Sequence, residues 1–292
     1  MLFSIVIATH NRPALLDQCL AALSELNFPP AEFEVVVIDD GSSLPLHSIV
    51  ERHTSSLPLR FTRQKQSGPA TARNRGLQQA TGRYVVFTDD DCRPHADWLL
   101  ALQRALIAHP SSALGGAIHS APENNIFGQA SQLLVSYLYD HPSSIPRFFC
   151  TNNLAFPRQA LLDLGGFDET FPLAAAEDRD ICDRWAGQHP LHFVPGAIVI
   201  HRQHLNFPAF CRQQFRYGRG AFHFQSRRQT RGQAPLRIRP LAFYRNMFAY
   251  PWRTRSFATA STLAVLLTIT QLANVLGFFY EERSSGPRVD TP

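Results

Sequence analysis

The stretch Arg83-Tyr84-Val85-Val86-Phe87-Thr88-Asp89-Asp90-Asp91-Cys92 decides how this chain is read. An apolar run with the β-branched and aromatic content of a buried strand passes straight into three carboxylates. Adjacent acids repel one another and are costly to withdraw from water unless a cation or several hydrogen bonds accompany them. A divalent metal answers both needs, and hard oxygen ligands with partial hydration favour Mg2+ or Mn2+, ions that bridge diphosphate oxygens. The competing account is a helix N-cap cluster ahead of Pro94, a position that Asp also suits.

Toward the N-terminus the same grammar repeats. A helix is predicted from Ala70 to Ala80, a strand around Leu59 to Phe61, a helix around Leu46 to His53, and the strand EVVVID ending at Asp39. Residues 3 to 8, FSIVIA, form a first strand with the continuous apolar character of burial on both faces. Pro13 suits the first turn of the next helix, whose Leu15, Leu16, Cys19, Leu20 and Leu23 form one stripe against the sheet. Alternation of this kind predicts an α/β fold, a Rossmann-like, mostly parallel sheet flanked by helices.

Ligands of such sheets sit at the carboxyl ends of the strands. Here those ends carry Thr9 to Arg12, Asp39-Asp40-Gly41-Ser42, and Asp89 to Asp91. A carboxylate at Asp39 could accept a hydrogen bond from a nucleobase imino group, or it could close an Asx-turn. Thr9 to Pro13 stands where a G-x-G-x-x-G would follow the first strand, which argues against a dinucleotide-dependent oxidoreductase.

Toward the C-terminus the pattern is less regular. A strand is predicted in FFCTNNLAF, a short helix near Arg158, and a helix starting at Glu177 to Asp180. Read alone, Glu177, Asp178 and Asp180 are first-turn acids that stabilise a helix N-terminus by about 0.3 to 1 kcal/mol each. His201 ends the apolar run Ala197 to Ile200, as a structural residue or as a ligand.

With 292 residues, 45% hydrophobic and 17% charged, the chain can bury a full core. Five cysteines, an odd number without a C-x-x-C pair, argue against a disulfide framework or a structural zinc site and fit a reducing cytoplasm. The N-terminal apolar run has no basic residue before it and no small-residue cleavage site, unlike a secretory signal. The net charge of +5 is unevenly placed, since no acid occurs between Asp183 and Glu281. Only Lys65 of the 28 basic residues is a lysine, so the positive charge sits almost entirely on guanidinium groups.

Residues 257–280, FATASTLAVLLTITQLANVLGFFY, carry no charge over 24 positions. Roughly 20 apolar residues suffice to span a bilayer, and one transmembrane helix is the expectation; a buried or surface-lying helix is the alternative. Arginines from Arg212 to Arg255 precede it, which puts that side in the cytoplasm. Aromatics interleave with those arginines. Beside a long apolar segment this mixture fits an anionic lipid surface, so nucleic acid is not expected as a partner.

In their order, SIVIATHNRP, VVVIDDGSS, GPATARNRGLQQATG, YVVFTDDDC, LGGFDETF and AEDRDICDRW resemble family 2 of the glycosyltransferases, which has the GT-A fold, over residues 3 to 205. The resemblance implies that Thr9, Asn11 and Arg12 line a nucleotide pocket, that Asp39 contacts the base, usually uracil, and that Asp40 braces the loop. It implies Arg73 near the nucleotide, Asp89 near the ribose and donor sugar, Asp90 between the two on the donor side, and Asp91 as metal ligand. His201 becomes a further metal ligand and Asp178 the general base, with Glu177, Asn152 and Asn153 on the acceptor side. Gln213-Gln214-Phe215-Arg216-Tyr217 is similar to the Q-x-x-R-W of processive members, with Arg216 toward the acceptor and tyrosine in place of tryptophan.

The expectation is therefore an inverting, Mg2+- or Mn2+-dependent hexosyltransferase. It would move a sugar from a nucleotide-sugar donor, UDP-linked, to a lipid-linked or glycan hydroxyl at the cytoplasmic face of the cell membrane, in envelope polysaccharide biosynthesis. The alternative is a non-catalytic scaffold that binds nucleotide sugar. The expected division is 1–205 for the GT-A domain, 206–256 for a basic and aromatic helical extension at the interface, 257–280 for the transmembrane helix and 281–292 for a tail.

Overall fold

The computed structural model describes residues 1–140, 148–171, 174–234 and 239–285; positions 286–292 of the expected tail lie outside them. Strands β1 (Phe3–Thr9), β2 (Phe33–Asp39), β3 (Leu59–Arg63) and β4 (Tyr84–Asp89) alternate with helices α1 (Pro13–Ser24), α2 (His47–Glu51) and α3 (Pro69–Gln79). They are followed by β5 (Cys92–Pro94), α4 (Trp98–Ala108), β6 (Ala113–Ser120), α5 (Ile126–Asp140), β7 (Leu154–Pro157), α6 (Arg158–Asp163), α7 (Glu177–Ala186) and β8 (Leu191–His201). The last helices are α8 (Phe207–Thr230), α9 (Leu241–Thr254) and α10 (Phe257–Ser285).

The eight strands form one sheet in the order β3-β2-β1-β4-β7-β6-β8-β5. β3, β2, β1 and β4 are parallel, as the apolar runs of β1, β2 and β4 predict. Beyond β4 the sheet is mixed: β7 runs antiparallel to β4 and β6, β8 parallel to β6, and β5 antiparallel to β8. The strand expected over FFCTNNLAF is shorter than predicted, because Thr151–Asn153 form a 3-10 turn before β7 begins.

Two compact units result. The first comprises Met1–Ala121, Pro142–Pro172 and Asp178–Arg202. Its core sets Phe3, Ile5 and Ile7 with Val35 and Val37 against Leu16, Leu20 and Leu23 of α1 and Trp98, Leu99 and Leu102 of α4. At the far end from the polar strand tips, buried Glu34 accepts hydrogen bonds from Ser4 Oγ, Thr81 N and Thr81 Oγ1, each at 2.7 Å, with Arg60 Nε 3.3 Å away.

The second unit comprises Pro122–His141, Leu173–Glu177 and Gln203–Pro292. Tyr137 of α5, Phe210 of α8, Met247 of α9 and Leu263, Leu266 and Leu267 of α10 share its core. Ala260, Leu263, Leu267, Thr270, Gly277 and Glu281 of α10 are buried at steps of three, four and seven residues, which is one helix face. On the other side Val265, Leu272, Val275, Leu276 and Phe279 are exposed, so α10 is apolar on both faces. Glu281 is tied to α8 by Arg219 Nε and by His223 Nε2, the latter at 2.9 Å. A Cβ at Gly218 of α8 would stand 1.9 Å from Asn274 O, and one at Gly277 2.1 Å from Phe215 O. Glycine at both positions is what lets these two helices touch backbone to backbone.

Candidate active site

Parallel register brings the polar strand tips together. Thr9 lies opposite Asp39, and Ala8 opposite Asp89, so the loops after β1, β2 and β4 leave one edge side by side. The β5 to β8 pairing sets Cys92 opposite His201, which delivers the histidine to the same place.

The three acids point to different partners. Asp89 accepts from Arg73 Nη2 at 2.9 Å, and Arg73, 6% exposed, lies over the Phe167 ring. Asp90 is 3% exposed; it accepts from Thr9 Oγ1 at 2.7 Å and from Arg12 Nη1 at 3.1 Å. Burial pushes its carboxyl up to about 6, with Asp91 and Asp89 adding to the push and Arg12 and Thr9 opposing it. Asp91 meets Arg12 Nη1 at 3.1 Å through Oδ2 and His201 Nε2 at 3.4 Å through Oδ1. Burial opposes charge on His201, but the Asp91 carboxylate outweighs it and holds the imidazole above its ordinary value.

Loop geometry aims Arg12. Asn11 has φ of +56°, a left-handed conformation that Asn tolerates better than most residues. It is clamped there: its N–H donates to Ser42 Oγ at 2.8 Å, and its Oδ1 accepts from Ser43 N at 2.8 Å and Ser43 Oγ at 2.9 Å. Asp39, buried, accepts from Ser42 N at 2.9 Å, and its Oδ2 is 3.5 Å from Arg63 Nε. Asp40 accepts from Gln64 Nε2, Ser67 N and Gly68 N, each at 2.8 Å, and so braces the loop that leads into α3. The Gly-Ser-Ser after Asp39-Asp40 was the sequence signal for these bonds; the grip of Ser42 and Ser43 on Asn11 was not anticipated.

The donor set fits a divalent cation. The ligand atoms of Asp91, Cys92 and His201 all lie within 4.8 Å of one another, and the carboxylate and imidazole among them are donors that a divalent cation accepts. Cys92 was not foreseen. It is fully buried, burial and its acidic neighbours push its thiol well up, and it donates to Asp91 Oδ1 at 3.7 Å, so it supports Asp91 as a neutral thiol.

The two asparagines before β7 differ. Asn153 is 1% exposed and fully engaged within the fold, whereas Asn152 carries a buried Oδ1 without a hydrogen-bond partner among the described residues. The acids of α7 differ too. Asp180 is fully buried and paired with Arg184 Nε at 2.8 Å, while Asp178 is half-buried, with Oδ1 accepting from Arg179 N at 2.8 Å. α7 is anchored by Cys182 on Phe149 and by Trp185 on Phe156, beside β7. Glu177, buried, and Arg216, exposed on α8, belong to the second unit.

Comparison with known proteins agrees with this architecture. The profile of Glycosyl transferase family 2 matches residues 4–165. The chain is 31% identical to the hyaluronan synthase of Pasteurella multocida over 216 residues, which cover 60% of this chain and 22% of that protein. It spans less than half the length of such curated relatives. Among solved structures, the mannosyltransferase PcManGT of Pyrobaculum calidifontis, determined with GDP-Man and Mn2+, superposes with a TM-score of 0.67 at 20% identity, covering 97% of this chain and 87% of that one. TarS of Staphylococcus aureus with UDP-GlcNAc gives 0.61 at 18% identity, covering 97% and 91%. These likenesses identify the fold as GT-A.

Proposed function

Because the chain belongs to glycosyl transferase family 2, we propose that it is an inverting glycosyltransferase. It would carry a sugar from a nucleotide diphosphate donor, with UDP as the nucleotide, to a hydroxyl of a lipid-linked or glycan acceptor, with the help of Mn2+ or Mg2+. The observation that carries this reading is the convergence at one sheet edge of the Arg73–Asp89 pair with Asp90, Arg12, Asp91 and His201, the last four linked by direct contacts. The GDP-Man and UDP-GlcNAc held by the two structural relatives support a nucleotide-sugar donor, and the Mn2+ of the first supports the metal.

Each side chain then has a task. Asp39 would accept from the base, and Thr9, Asn11 and Arg12 would line the nucleotide site. Arg73 orients Asp89 toward the ribose and sugar. Asp91 and His201 would hold a divalent cation, whose charge would stabilise the departing diphosphate. Asp178, more exposed than Asp180, takes the proton of the acceptor hydroxyl, for which it must come within about 3 Å of that proton. Attack opposite the departing diphosphate inverts the anomeric carbon. Asn152, whose buried Oδ1 has no hydrogen-bond partner among the described residues, would receive a hydrogen bond from the acceptor.

Membrane contact belongs to the same reading. The exposed apolar face of α10, a helix long and apolar enough to cross a bilayer, supports attachment to a membrane as a spanning helix or one lying within its bundle, and the arginines that precede it favour the cytoplasmic side.

The test is transfer from a panel of nucleotide sugars to lipid-linked and oligosaccharide acceptors, with and without Mn2+. Asp178→Asn is expected to lower turnover by roughly 10^2- to 10^4-fold at nearly unchanged UDP binding. Asp91→Ala is expected to remove the metal dependence. Full activity in both variants would overturn the assignment.

A further inference from the structure

One nitrogen of Arg12 does two jobs. Nη1 lies 3.1 Å from Asp90 Oδ1 and 3.1 Å from Asp91 Oδ2, so a single guanidinium corner bridges two carboxylates. The acids it bridges are withdrawn from solvent, at 3% and 13% exposed, while the Arg12 side chain is 52% exposed. Asp90 and Asp91 each have a second partner besides Arg12: Thr9 Oγ1 for Asp90, and His201 for Asp91. The clamped Asn11 fixes where the Arg12 side chain starts; among the described residues its far end is held by the two carboxylates alone.

A divalent cation on Asp91 must sit within a few ångströms of that guanidinium. Like charges so close disfavour each other unless anions join them. A diphosphate brings those anions, and guanidinium groups pair with phosphate in bidentate fashion. We propose that Arg12 makes cation binding conditional on the diphosphate. In the free protein Arg12 acts as an internal counter-ion that bridges Asp90 and Asp91. When cation and nucleotide diphosphate enter together, it lets go of Asp91 and pairs with the phosphate. The cation is thereby held weakly without donor and tightly with it, a reciprocal coupling between two ligands. This rests on the reading of the site as one for a nucleotide diphosphate.

The experiment is direct measurement of Mn2+ binding to the full chain, by the electron paramagnetic resonance signal of free Mn2+ and by titration calorimetry, with and without UDP. The parent protein is expected to bind Mn2+ roughly tenfold or more tightly when UDP is present. Arg12→Gln is expected to bind Mn2+ alone about tenfold more tightly than the parent, and to keep less than about a threefold effect of UDP. Arg12→Lys, which retains the charge without the fork, should fall between them. If Arg12→Gln binds Mn2+ alone no more tightly than the parent, or keeps the full UDP effect, the role given to Arg12 is overturned and the diphosphate reading stands. If calorimetry shows no binding of UDP to either protein, the diphosphate reading itself is overturned, and this inference with it; if UDP binds but Mn2+ does not, the inference alone is overturned.

Discussion

Trp98 Nε1 donates to Asn153 Oδ1 at 2.9 Å, and the same asparagine donates through Nδ2 to Ala117 O at 2.8 Å and Ala197 O at 2.9 Å. One amide so joins α4, β6 and β8. The two carbonyls lie where the pairing of β6 with β8 shifts register after Gly116, and Asn153 meets the acceptors that the irregularity leaves. Gly116 makes room for it, since a Cβ there would stand 2.3 Å from Asn153 Nδ2.

Asn153→Ala is accordingly expected to cost about 3 kcal/mol or more, because it strands a buried indole N–H and two carbonyls. Denaturant unfolding reads this directly. Asn152→Ala should unfold near the parental midpoint and instead raise the apparent KM for acceptor. An Asn153→Ala protein of parental stability would show that the amide is not a structural joint.

Glu34 gives a pH signature far from the strand tips. Burial alone would raise its carboxyl, but the bonds from Ser4 and Thr81, with Arg60 alongside, outweigh it and hold it below the usual value of 4.5. A carboxyl lowered on folding adds stability that is present above its unfolded value and lost as pH falls through the folded one. Glu34→Gln should therefore melt below the parent at pH 7, by the equivalent of about 1 to 3 kcal/mol, and the gap should close below about pH 4. A gap that widens in acid would contradict the assignment.

The acids of α7 can be told apart by stability. Asp180 is fully buried against Arg184, whose other nitrogens hold Leu164 O at 3.1 Å and Gly166 O at 2.6 Å. Asp180→Ala leaves that guanidinium uncompensated and is expected to cost about 3 to 5 kcal/mol. Asp178→Asn should melt within about 0.5 kcal/mol of the parent while losing turnover. Equal melting of the two variants would erase the distinction.

The contact between α8 and α10 predicts intolerance of any side chain at Gly218. Gly218→Val must displace Asn274 O, and a loss of about 1 to 3 kcal/mol or more is expected, with weakened near-ultraviolet circular dichroism from the aromatic residues of the helical unit. A parental melting curve for Gly218→Val would mean that the helices separate freely.

The parallel half of the sheet was legible because β1, β2 and β4 each hold an unbroken apolar run, such as Ile5-Val6-Ile7 and Val35-Val36-Val37-Ile38, and each ends in a turn of polar residues, so composition and punctuation agree. The rest was hidden for physical reasons. β5 is three residues long and has no period of its own; only its pairing with β8 makes it a strand. That pairing brings His201 to Asp91, so its place at the site was a matter of long-range register that local sequence does not encode. Asn152 and Asn153 are the same letter, and only their surroundings separate an unpaired side chain from a structural joint. Asp90 looked like the spacer between its neighbours, yet it is the most buried of the three, because the turn after β4 rotates it inward beneath Thr9 and Arg12.

The two-faced character of α10 bears on how the protein can be handled. Leu263, Leu266 and Leu267 complete the cluster of Phe210, Tyr137 and Met247, so cutting the helix away would uncover one sticky surface in removing another. A detergent-free preparation is better sought by exchanging Val265, Leu272, Leu276 and Phe279 for polar residues and leaving the chain at full length.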